Sequence, residues 1–305
     1  MTAAGRPGVL LMSYGSPASL QREDISAYLA RVRGGREPDA ELVDEFTRRY
    51  EVIGGSPLIE ITRAQAAALE DAFGCPAEVG MRFSEPSILA GLATLARRGA
   101  KQAAAIVLSP QYSPLLMSGY GRAIDEARAE LGAAVPQVSV AGAWHEEPAF
   151  VKALANRVSA SLASERDDVA VLMTAHSLPK RVADQEPDYL AQLRTTAEAV
   201  AASAGLSDGD WSFCWQSAGH EPGGWMKPDF ADLMPEIAAS GRRSVLVVPV
   251  QFLADHLEIL YDIDIAAREQ AEACGLRFGR IESLNTDRGL IDALAAVAER
   301  TLMAN

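Results

Sequence analysis

The chain has 305 residues, 49% of them hydrophobic, which is enough to bury a large core as two domains or one large α/β domain. Its 28 basic and 41 acidic residues leave a formal charge of -13, which repels a phosphate backbone and excludes nucleic acid as the expected partner. Three cysteines, Cys75, Cys214 and Cys274, lack C-x-x-C spacing, so neither a disulfide framework nor a thiolate metal site is indicated, and a cytoplasmic setting is expected. The first residues run directly into an apolar strand at 9–14, with no room for a signal peptide's apolar segment. Helical periodicity follows over 25–32, 40–50 and 57–73. Then come a strand at 77–83, a helix at 87–98, a strand at 104–109, a helix at 120–131 and a strand at 138–141. A join lies near Trp144 to Pro148. Beyond it the alternation resumes, with helices at 148–163, 189–204, 230–239, 256–274 and 288–303 and strands at 169–175, 212–215, 244–250 and 276–281. No apolar stretch approaches the roughly 18 residues that span a bilayer, so any membrane contact would be peripheral.

Alternating strands and helices predict parallel sheets covered on both faces, an α/β fold. The chain also resembles itself. Val9-Leu-Leu-Met-Ser-Tyr14-Gly-Ser-Pro17 is similar to Val171-Leu-Met-Thr-Ala-His176-Ser-Leu-Pro179, and Ile106-Val-Leu-Ser-Pro-Gln-Tyr112 to Leu246-Val-Val-Pro-Val-Gln-Phe252. We therefore expect two similar Rossmann-like halves, residues 1–145 and 146–305, each a parallel sheet flanked by helices, facing a central cleft. The last helix is free to pack back on the first half.

Several chemistries are disfavoured by missing motifs. No G-x-G-x-x-G follows the first strand and no P-loop occurs, so the phosphate cradles of nucleotide enzymes are absent. His145-Glu-Glu-Pro148 lacks the second histidine of a metalloprotease helix. Gln216-Ser-Ala-Gly219 is half a nucleophile elbow, but Trp215 occupies the position where the tight turn needs glycine, which leaves a serine hydrolase as a runner-up only.

Two polar residues stand directly after buried apolar strands, where open α/β sheets place their ligands. His176 follows one strand and precedes Ser-Leu-Pro179. Glu258 closes Val248-Pro-Val-Gln-Phe-Leu-Ala-Asp-His-Leu-Glu258, where Asp255 and Glu258 also fit a helix capping box. Asp262 lies four residues farther along and extends an acidic row on the same face. An imidazole and a carboxylate sharing one cleft can bind a divalent metal, shuttle protons, or do both.

These strings, with Arg49-Tyr-Glu-Val-Ile-Gly-Gly-Ser-Pro-Leu58, Ser109-Pro-Gln-Tyr-Ser113 and Trp215-Gln-Ser217, resemble the ferrochelatase family from end to end, in particular its compact bacterial type acting on coproporphyrin. The resemblance implies that His176 and Glu258 face the porphyrin centre as metal ligands and proton acceptors. It places Tyr14 on the opposite face as an axial ligand in the product, and it makes Asp262 a further candidate metal ligand. It also assigns the porphyrin's propionates to Arg33, Arg49, Tyr50, Ser56 and Tyr120. The implied activity is insertion of ferrous iron into coproporphyrin III by a monomer, with Fe2+ as substrate and no organic cofactor. Protoporphyrin IX is the alternative porphyrin. A cobalt or nickel chelatase acting on a corrin-type precursor, and a non-enzymatic tetrapyrrole carrier, are the other readings.

Three departures from the family pattern matter. Arg82-Phe83 stands where relatives often carry Lys-His, so a second metal-binding histidine is missing there. Ala266 replaces a carboxylate that often completes the acidic row. With three cysteines and none after Cys274, no iron-sulfur cluster is expected.

Overall fold

A computed structural model describes residues 6–163, 168–219 and 224–304. The first half runs β1 (Pro7–Ser13), α1 (Arg22–Val32), α2 (Ala40–Val52), α3 (Leu58–Phe73), β2 (Ala77–Met81), α4 (Ile88–Arg97), β3 (Gln102–Val107), α5 (Pro114–Leu131) and β4 (Gln137–Val140). The second runs α6 (Pro148–Ser161), β5 (Val169–His176), α7 (Lys180–Ala183), α8 (Pro187–Ser203), β6 (Trp211–Gln216), α9 (Phe230–Ala239) and β7 (Ser244–Pro249). It continues with a π-helix (Glu258–Ala267), α10 (Arg268–Ala273), β8 (Arg277–Arg280) and α11 (Arg288–Met303).

Each half contains one parallel four-stranded sheet, ordered β2-β1-β3-β4 and β6-β5-β7-β8. The topologies are identical, so the internal similarity reflects two copies of one winding. The two similar strings are nevertheless out of step. Val9 pairs with Ala104, and Val171 pairs with Leu246. Superposing Val9 on Val171 therefore places Ala104, not Ile106, on Leu246. A two-residue shift keeps every side chain on its own face of the sheet, so both apolar patterns survive it.

Strand alternation divides the core. Val9, Leu11, Ala104 and Ile106 from the first sheet share one apolar cluster with Val171, Met173, Leu246 and Val248 from the second. Phe150, Leu154 and Val158 of α6, Ala197 and Val200 of α8, and Leu290, Ile291, Leu294 and Val297 of α11 fill it. The opposite face of the first sheet packs Leu10, Met12 and Val107 on α4 and α5, while Leu172, Val245 and Val247 pack on α9 and the π-helix. The last helix contacts α6, α3 and β3, so it bridges both halves.

Two elements differ from the sequence expectation. Helix α5 starts at Pro114 rather than residue 120, because Ser113 caps it by accepting from Leu116 N at 2.9 Å and Pro114 has the fixed φ suited to a first helical position. The expected helix over 256–274 is a π-helix followed by one and a half turns of α-helix, with Arg268 N donating five residues back to Ile263 O.

Because the core is shared, the two halves should unfold together. Tryptophan fluorescence and far-UV circular dichroism are expected to report one coincident denaturant transition. Leu294→Ala, at a fully buried position, should shift that transition by about 2–5 kcal/mol without splitting it. Separate transitions for the two probes would show that the halves hold independent cores.

Candidate active site

A cavity of about 450 Å3 opens where the carboxyl ends of both sheets meet. The first half supplies Tyr14 after β1, Tyr28 and Tyr50 from α1 and α2, Ser56 before α3, Arg82 after β2, and Tyr120 from α5. The second half supplies His176, Leu178, Tyr189 and the 251–258 segment after β7.

The Tyr14 wall is built on a close backbone approach. Gly15 has φ +97, and a Cβ there would lie 2.1 Å from Ser84 Oγ, so glycine is required on both counts. Beyond the ladder, Arg82 N donates to Ser13 O at 2.9 Å and Phe83 N to Tyr14 O at 3.1 Å. The Phe83 ring then meets the Tyr14 ring edge-on at 4.6 Å. Tyr14 remains 45% exposed at the cleft mouth. Burial and the Glu258 charge raise its phenol above the usual range, and Arg82 opposes them. Burial likewise raises the Tyr28, Tyr50 and Tyr120 phenols. These side chains are therefore neutral hydrogen-bonding groups on an aromatic lining.

The facing wall holds the ionisable groups. His176 ends β5, and its backbone N donates to Gln251 Oε1 at 2.8 Å, while Gln251 Nε2 donates to the Tyr189 hydroxyl at 2.7 Å. His176 Nδ1 lies 2.5 Å from Ser177 O. A carbonyl can only accept, so Nδ1 carries hydrogen and Nε2 is left for the cleft. That Nε2 lies 3.7 Å from Glu258 Oε1. His256 repeats the pattern, with Nδ1 2.9 Å from Ala254 O and Nε2 3.5 Å from Glu258 Oε2. Burial would raise the Glu258 carboxyl, but the His176 charge and the His256 hydrogen bond outweigh it and hold it down at about 2. Burial also opposes charge on His256, yet Glu258 lifts that imidazole above its usual value.

The capping box does not form. The π-helix begins after Leu257 with no side-chain cap. Asp255 is instead engaged by the loop after β8, accepting from Ser283 Oγ at 2.7 Å, Asn285 Nδ2 at 2.9 Å and Arg280 Nη2 at 3.5 Å. These stronger partners remove Asp255 from the helix start, and Glu258 turns to the two histidines.

Tyr14, Tyr50, Ser56, Tyr120, His176 and Glu258 all line the cavity; Arg33, Arg49 and Asp262 do not. Arg33 is exposed at the end of α1. Arg49 is held by Glu45 at 2.7 Å and by Asp262 at 3.5 Å, with its guanidinium 5.1 Å from the Tyr261 ring centre. Asp262 therefore stands one turn beyond Glu258, and burial raises its carboxyl, with Glu258 adding to the rise. Among the described residues, no three His, Cys, Asp or Glu side chains converge on one point.

Sequence reasoning marked Arg82 only as a departure from the family pattern, and it did not single out Tyr28, Tyr189, Gln251 or His256. Only His256 carried a local signal, standing two residues before Glu258 in the same string.

Two α/β halves around a polar aromatic cleft make a fold that solved structures share. The sirohydrochlorin chelatase SirB from Bacillus subtilis subspecies spizizenii, solved with cobalt, shares this fold, with a TM-score of 0.60, 13% identity, and coverage of 98% of this chain and 96% of that one. A family model, Ferrochelatase, matches residues 6–302. The ferrochelatase of Deinococcus radiodurans is 41% identical over 303 residues, covering 96% of this chain and 95% of that protein. The coproporphyrin III ferrochelatase of Geobacillus thermodenitrificans is 37% identical, covering 97% and 96% respectively. The chain belongs to the ferrochelatase family, lyases that insert metal into a porphyrin. No helix among the described residues is long and apolar enough to cross a membrane.

The Glu258 and His256 shifts set a pH window. The Glu258 contribution to stability is present above the usual carboxylate value of 4.5 and is lost as pH falls toward about 2. The His256 contribution is present below 6.5 and is lost as pH rises through its elevated folded value. Glu258→Gln should flatten both limbs in denaturation experiments across pH. It should also lower the pH at which the His256 ring protons titrate by NMR. An unmoved His256 titration would contradict the pairing.

Proposed function

We propose that this protein inserts Fe2+ into coproporphyrin III, releasing two protons and giving coprohaem III in haem biosynthesis. The observation that carries this reading is the His176–Glu258 pair at 3.7 Å on one wall of an aromatic cleft, with Tyr14 on the other. The choice of coproporphyrin is supported by the named activity of the Geobacillus thermodenitrificans relative.

The geometry divides the labour within the pair. His176 Nε2 and a Glu258 oxygen are both electron-pair donors, and a proton or a divalent ion between them satisfies both. Fe2+ arriving on this side meets one nitrogen and one carboxylate, a donor set that holds ferrous iron without the grip of thiolates. The two pyrrole protons leave as iron replaces them. His176, with Nε2 turned to the cleft, is the acceptor for a pyrrole proton. Glu258, held down at about 2, is too weak a base to keep a proton and instead stabilises the imidazolium beside it. Tyr14 keeps its phenolic proton until iron sits in the ring, and then ligates it from the opposite face.

Anaerobic absorbance assays with Fe2+ should show His176→Ala losing about 10^2- to 10^4-fold in insertion rate while coproporphyrin still binds. A wild-type rate in that variant would sink the assignment. Tyr14→Phe is expected to change the spectrum or release of the iron product, and an unchanged spectrum would argue against axial ligation. Across coproporphyrin III, protoporphyrin IX and sirohydrochlorin with Fe2+ or Co2+, the highest kcat/KM should fall on coproporphyrin III with Fe2+.

A further inference from the structure

The cleft must receive an anionic substrate in a chain of net charge -13, so a local cation has to face it. Neither arginine expected in that role lines the cavity. Arg49 is already neutralised by Glu45 and Asp262, and Arg33 lies outside on the end of α1. Among the described lining residues, Arg82 is the single arginine or lysine.

Its setting is built. The guanidinium carbon lies 4.6 Å from the Phe83 ring centre and 5.3 Å from that of Tyr120, a placement favoured by the negative faces of both rings. Its third neighbour is the bare backbone of α5. A Cβ at Gly119 would fall 2.0 Å from Arg82 Nη2, so the side chain occupies space that any other residue would fill. One donor reaches Leu116 O at 3.5 Å, and among the described residues no carboxylate lies within ion-pair distance. A half-buried guanidinium with most of its five donors unspent, facing a cavity, calls for an anion from outside the chain. It stands on the Tyr14 wall, across the cleft from Glu258.

We propose that Arg82, seated on Gly119, binds one carboxylate side chain of the tetrapyrrole and thereby orients the ring so that its nitrogens face His176. This rests on the reading of the cleft as a coproporphyrin site. It makes Arg82 a specificity-determining residue and Gly119 the residue that shapes its seat.

The test is porphyrin binding by fluorescence, comparing coproporphyrin III with its tetramethyl ester in the same detergent, alongside steady-state Fe2+ insertion. Arg82→Met should weaken coproporphyrin binding about 10- to 100-fold and leave ester binding nearly unchanged. Arg82→Lys should recover part of the loss, because charge returns without the planar fork. Gly119→Ala improves helix propensity, so the fold should hold while the guanidinium is displaced. Its loss should match that of Arg82→Met, and the double variant should be no weaker than Arg82→Met alone. In turnover, KM should rise with little change in kcat. Wild-type coproporphyrin affinity in Arg82→Met, an equal loss for the ester, or a fall in kcat at constant affinity would each overturn the proposal. A wild-type protein that binds coproporphyrin with carboxylate dependence but never metallates it would overturn the enzymatic reading and leave the anchor standing.

Discussion

The shared core between the two sheets is the constraint on which the site depends. Strand alternation gives each sheet a second apolar face, and Val9, Leu11, Val171 and Met173 cannot be buried by their own half's outer helices. They are buried against each other through α6, α8 and α11, which holds the carboxyl ends of both sheets around one opening. Polar ties lock the arrangement where apolar contact ends. Gln65 Nε2 donates to Asn285 O at 2.7 Å, and Gln111 Nε2 donates to Thr196 Oγ1 at 3.0 Å. The distance between a tyrosine on one wall and a histidine–glutamate pair on the other is therefore a property of the core, not of the loops that carry them.

The cleft is electrically polarised across its width. Glu258 and Asp262 lie on the side of the second half, while Arg82 lies on the other, and the space between is lined by neutral phenols. A dication and a polycarboxylate would cancel each other in free solution. Opposed charges on opposed walls give each a separate destination, and the low-dielectric aromatic lining limits screening between them. The two histidines beside Glu258 keep that carboxylate ionised despite its burial, so the attraction for a cation persists through the physiological range.

Much of this was legible in sequence because it follows from local patterns. All eight strands could be read from short apolar or alternating runs between helical segments, and His176 and Glu258 from their position after two of them. The start of α5 was also readable in principle, since Ser113-Pro114 is a cap followed by a first-turn proline. The π-helix was not readable, because over its ten residues the apolar spacing still fits an ordinary helix. The capping box was misleading for a related reason: the partners that claim Asp255 come from 25 or more residues away in sequence. Tyr28 and Tyr189 became visible only when topology brought α1 and α8 to the same opening, and the place of Arg82 in the lining only when β2 was brought there. Arg33 and Arg49 have the right chemistry in the right segment, yet their directions are set by helix ends and by Glu45.

The course of α11 has a consequence for how the protein is made. On the ribosome the first sheet and α3 emerge early, but the part of the sheet's inner face that packs on Leu290, Leu294 and Val297 waits until these have been synthesised, nearly two hundred residues after β3. The nascent chain therefore carries a partly exposed apolar face through much of its translation, and the arrival of α11 closes it. A chaperone bound to that face would have to be displaced by the chain's own helix, which makes the emergence of α11 the event that commits the first half to its final form.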